Sequence, residues 1–156
     1  MPNEIKAKFG TTTVLPIALA SLASSTSGVG VQSDMVDNET PRWQRIHVFF
    51  KVTTGTGPTA NKSIRFFLLK CDDVETHNIL TDGASQAGGT ITIETADQVY
   101  SVITSSASDK TYQGSFVIEN PGPQWGIAVV QDTGVALNAT ATTHELRWVG
   151  ENPEVQ

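Results

Sequence analysis

The chain has 156 residues and a mass of 16.7 kDa, enough for one compact domain and too little for two independent cores. Its net charge of −6 and its pI near 4.9, with ten scattered basic residues, exclude a phosphate-binding surface of clustered Lys and Arg. Apolar residues make up 38% and charged residues 17%, and Ser plus Thr supply about a fifth of the chain. That balance favours strands and turns over long charged helices.

The first residues, Met1-Pro2-Asn3-Glu4-Ile5-Lys6, do not resemble a signal peptide, and no stretch reaches the roughly 20 apolar residues needed to cross a bilayer. Synthesis in a cytosol is therefore expected, where the sequons such as Asn38-Glu39-Thr40 carry no meaning. Residues 11–19, rich in β-branched side chains, predict a strand, with Pro16 marking an edge or a bulge. Residues 21–33 are small and polar, with Gly28 and Gly30, and read as an extended arm with a short strand at 29–32. Residues 34–42 connect.

The clearest period-2 pattern spans 43–53, with Ile46, Val48, Phe50 and Val52 on one face and Arg45, His47, Phe49 and Lys51 on the other. Residues 63–71 repeat it, Ile64, Phe66 and Leu68 alternating with Arg65, Phe67 and Leu69. A short polar link joins the two, which predicts a hairpin. Phe49, Phe67 and Leu69 make both strands apolar on their second face as well. That face is expected to be covered by the N-terminal arm or by a neighbouring subunit.

Residues 72–89 form a long polar connection, with room for one helical turn at 72–80. Short strands follow at 90–94, 98–105, 111–119, 125–131 and 143–149, separated by turn clusters such as Asn120-Pro121-Gly122-Pro123. The expected architecture is a single all-β antiparallel sandwich over 1–156, of about eight strands, jelly-roll or immunoglobulin-like, with 1–42 as a partly extended arm and first strand.

No catalytic, cofactor or metal site is expected. His47, His77 and His144 lack local metal-ligand spacing, and the Asp72, Asp73, Glu75, His77 cluster matches neither a zinc nor a calcium pattern. Cys71, the only cysteine, reads as a small buried hydrophobe. No Gly-x-Ser-x-Gly elbow, dinucleotide fingerprint or phosphate loop is present. Trp43, Tyr100, Tyr112, Trp125 and Trp148 are candidates either for core packing or for stacking on sugars.

Three stretches taken together carry a resemblance: residues 21–33, then Val36-Asp37-Asn38, and the closing Gly126-Ile127-Ala128-Val129-Val130 through Gly134-Val135-Ala136-Leu137 to Arg147-Trp148-Val149-Gly150. They resemble small virion structural proteins of tailed bacteriophages. The resemblance implies a homo-oligomeric component of the virion, made in the host cytoplasm and acting as a capsid, decoration or head-to-tail part. Its partners would be itself and other virion proteins, with no nucleic acid, membrane or cofactor. On that reading the assembly contacts are expected at Val29, Val31, Trp43, Phe49, Phe67 and Leu69. A carbohydrate-binding adhesion module is the competing expectation.

Overall fold

Eleven strands make up the described part of the chain, residues 5–40, 42–71 and 87–155 of a computed structural model. They are β1 Ile5–Phe9, β2 Thr13–Val14, β3 Val29–Gln32, β4 Val36–Asp37, β5 Arg45–Thr53, β6 Ser63–Cys71, β7 Gly89–Thr92, β8 Asp97–Ile103, β9 Thr111–Glu119, β10 Gln124–Gln131 and β11 Glu145–Val155. A 3-10 turn at Ala141–Thr143 precedes β11. Every pairing is antiparallel. One sheet runs β1-β11-β5-β9, with β2 also on β11; the other runs β7-β3-β10-β6-β8, with β4 also on β10. The two sheets pack face to face as an all-β sandwich.

Alternation accounts for the packing. Ile46, Val48, Phe50 and Val52 of β5 and Ile64, Phe66 and Leu68 of β6 share one core with Leu15, Leu19, Phe116, Ile118, Trp125, Ile127, Val129 and Leu146. Burying side chains of this size removes roughly 1.5–3 kcal/mol of apolar exposure each, which makes this layer the main source of stability.

Residues 43–53 and 63–71 do not form the predicted hairpin. β5 belongs to the first sheet and β6 to the second, so the link between them crosses from layer to layer. Their apolar faces meet across the sandwich, with the Phe50 and Phe66 rings 4.7 Å apart. A short polar link serves a crossing as well as a hairpin, and two strands with matching apolar faces gain more by stacking than by lying side by side.

The strand expected at 11–19 shrinks to β2. Its pairing runs as far as the Leu15 N–H on Leu146 O at 2.9 Å, and Pro16 ends it. Leu15 and Leu19 then turn into the core. The last strand reaches further than expected, to Val155, because β1 pairs with its final residues. Gly10 N–H bonds Gly150 O and Leu15 N–H bonds Leu146 O, so even-numbered residues of β11 face β1 and β2 while odd-numbered ones face β5. Pro153 falls after β5 has ended at the Arg45–Glu151 pair. Its missing N–H therefore forfeits no ladder bond. The helical turn considered for 72–80 and the Asp72, Asp73, Glu75, His77 cluster lie outside the described residues.

Two buried amides lock the loops. Asn38 accepts the Trp43 N–H at 2.8 Å on its Oδ1, and its Nδ2 donates to Trp43 O and Gly122 O. Gln131 accepts from the Thr133 N–H and hydroxyl and donates to Leu22 O and Val135 O. A buried amide with all its groups satisfied is costly to replace. Trp43 closes one end of the sandwich by lying on Gly150 and Gly10; a Cβ at Gly150 would run into its ring.

Candidate interaction surface

The outer faces of the two sheets differ. On the second sheet, Phe67 and Leu69 of β6 and Ala128 and Val130 of β10 project outward and are buried with Ile91 of β7; Met35, Ile93 and Ala96 pack against them. This outer apolar layer is covered. Gly30 makes room for it, since a Cβ there would lie 2.7 Å from Val130 Cγ2.

On the first sheet the outward residues follow from the register. Val14, Arg147, Phe49 and Ser115 form one row across the strands, Val149, His47 and Val117 the next, and Phe9, Glu151, Arg45 and Glu119 a third. Phe49, Val117, Val14 and Phe9 are 43%, 46%, 52% and 55% exposed, against 0% for Leu69 on the other sheet. Four large apolar side chains of these three rows thus stand open on one face, with the exposed Ile5 further along β1, around the half-buried His47, whose ring is 5.7 Å from that of Phe9. An open apolar patch rimmed by charge is the usual form of an interaction surface.

The rim is organised. At one end Arg45 Nε lies 3.0 Å from Glu119 Oε2 and Arg45 Nη1 3.5 Å from Glu151 Oε1, while His47 Nε2 sits 2.5 Å from Glu151 Oε2. At the other end Arg147 Nη2 is 2.7 Å from Glu145 Oε1. The hydrogen bond from His47, reinforced by Arg45, holds the Glu151 carboxyl below the ordinary carboxylate range. The Arg147 hydrogen bond does the same for Glu145. Glu119 in turn raises the Arg45 guanidinium pKa, first by its hydrogen bond and then by its charge. The Arg45–Glu119 and Arg147–Glu145 pairs are largely solvated, so they set charge pattern more than stability. Beside this end, a cleft of about 290 Å³ opens between β1 and the start of β5, lined by residues including Ile5, Gln44, Arg45 and Asn120.

Of the contact residues expected from sequence, Phe49 and Val29 are exposed. Val31, Phe67 and Leu69 are buried and offer no surface: Val31 pairs with Val129 and points into the core, and the second apolar face of β6 is buried with groups of its own chain. Trp43 is half-buried over Gly150. Phe9, Val14 and Val117 were not foreseen. The alternation of Ile5, Ala7 and Phe9 with Lys6 and Lys8, and the consecutive Phe116-Val117-Ile118, are the signals that mark them.

The remaining chemistry-bearing groups serve the fold. His144 uses both ring nitrogens, toward the Thr53 N–H and Asn138 O. Cys71 is buried. Trp125 is fully buried and meets Trp148 edge-on at 5.4 Å. Among the described residues, no three His, Cys, Asp or Glu side chains gather in a way that could hold a metal ion. Comparison with family models, with curated proteins and with solved structures finds no match to this chain.

Proposed function

We propose that the chain is a structural component of a bacteriophage particle, assembling with copies of itself and with other virion proteins as a capsid, decoration or head-to-tail part. The observation that carries this reading is the open outer face of the first sheet, where Phe9, Val14, Phe49 and Val117 stand exposed between charged rims. A chain that buries the second apolar face of one sheet and leaves that of the other open is built to have the open one covered by a neighbour. The resemblance of residues 21–33, 36–38 and 126–150 to small virion proteins supplies the particle. The role is one of contact and needs no cofactor.

The competing reading, a carbohydrate-binding adhesion module, calls for aromatic rings displayed side by side. The three tryptophans pack in or against the core instead, so that reading loses the feature that motivated it.

Quantitative mass spectrometry of purified virions tests the proposal, with many copies per particle expected and loss of incorporation in Phe49→Asp. Absence from virions, together with a monomeric state at the highest soluble concentration, would contradict it.

A further inference from the structure

The four sheet edges are not equally protected. β1 is five residues long and carries Lys6 and Lys8; β7 has only four residues; β8 begins at Asp97 and shifts register opposite Phe66 and Phe67. Short length, lysines, charge and bulges are the devices by which edge strands avoid pairing with other chains. Of these β9 has only a single charge, at its end. It runs for nine residues as Thr-Tyr-Gln-Gly-Ser-Phe-Val-Ile-Glu, without proline, without a basic residue and with one charge at its end, in unbroken register with β5.

The phase of that register identifies the free groups. Just beyond the two ends of the ladder, Asn120 N–H donates to Gln44 O and Thr54 N–H to Lys110 O. Both bonds continue the β5–β9 register, so the even-numbered residues of β9 bond β5, and the odd-numbered ones turn their N–H and C=O groups outward. Thr111, Gln113, Ser115, Val117 and Glu119 are all exposed, and no backbone bond from them to another segment is found among the described residues.

We infer that this edge pairs with the same edge of a second copy, antiparallel about a two-fold axis at Ser115. The register that uses the whole strand sets Ser115 against Ser115, Gln113 against Val117 and Thr111 against Glu119, all odd-numbered, so every outward donor and acceptor finds a partner. On the inner side Phe116 falls across from Gly114, whose inner face the Phe50 ring of its own chain already covers, and Tyr112 falls across from Ile118, so no bulky side chains are set against each other at the Gly114 positions. No like charges meet. An edge that is complementary to itself along its full length fits a second copy, because a two-fold contact needs one patch on both partners. The two first sheets then join into one continuous sheet. This pairing is independent of the open outer face, and either can hold without the other.

Amide hydrogen exchange on the full-length chain, at concentrations bracketing self-association measured by sedimentation velocity, tests the inference. In the dimer the Gln113, Ser115 and Val117 amides exchange at least about tenfold more slowly than in the diluted monomer, while even-numbered β9 amides are protected in both. Ser115→Pro removes an outward donor and no bond to β5, and it abolishes the dimer. Gln113→Lys with Val117→Lys does so independently, by setting lysines against lysines. A chain that stays monomeric, a dimer whose odd-numbered amides remain open, or a dimer that survives both variants would overturn it. Edge protection in a chain that is absent from virions would sink the particle reading alone; presence in virions with an open edge would sink only the edge pairing.

Discussion

The outer faces of the two sheets start from similar sequence and end differently. β5 and β6 both carry apolar residues on their second face, yet Leu69 is completely buried and Phe49 is 43% exposed. The second sheet gathers Ile91, Ala128 and Val130 around Phe67 and Leu69; among the described residues the first sheet gathers no equivalent layer around Phe49. A two-faced apolar strand is therefore ambiguous: it marks either a further layer within the chain or a surface waiting for one.

The largest expected effect that sharpens this contrast is Leu69→Asp, which buries a charge without a partner and prevents folding, a loss of more than about 4 kcal/mol seen as absent cooperative melting by circular dichroism. Leu69→Ala leaves a cavity in the covered layer and costs about 2–5 kcal/mol in urea unfolding. Phe49→Asp on the open face changes monomer stability by no more than about 1 kcal/mol and abolishes incorporation. Equal destabilisation by Leu69→Ala and Phe49→Ala would break the comparison.

The smallest effect is acid sensitivity at the rim. Because the folded-state pKa of Glu151 and Glu145 lies below the ordinary value, their contribution is present at neutral pH and is lost as pH falls through the carboxylate range toward that lower folded value. The melting temperature should be level near neutrality and drop below about pH 4. Glu151→Gln should flatten part of that drop; an unchanged profile would show that the His47 and Arg45 contacts contribute nothing.

Much of the fold is legible from alternation. β6 and β9 occupy the residues their patterns predict, 63–71 and 111–119, since period-2 burial is a local property. Which sheet a strand enters depends on partners far along the chain, so the β5–β6 crossing is invisible to local reading. β1 was missed although Ile5, Ala7 and Phe9 alternate with Lys6 and Lys8, because a five-residue run is short and its apolar side adds nothing to the core. The site was half legible: Phe49 stands where its pattern placed it, but Phe67 and Leu69 carry the same signature and are covered. Asn38 reads as a sequon, and only the fold reveals it as a buried clamp between the Trp43 and Gly122 backbones.

Hydroxyl-radical footprinting of the free chain and of the assembled particle tests the central claim most directly. The account predicts that Phe9 and Phe49 are labelled in the free chain and protected in the particle, while Phe67 and Leu69 are unlabelled in both. Phe67 labelled as strongly as Phe49 in the free chain, or Phe49 equally reactive before and after assembly, would contradict it.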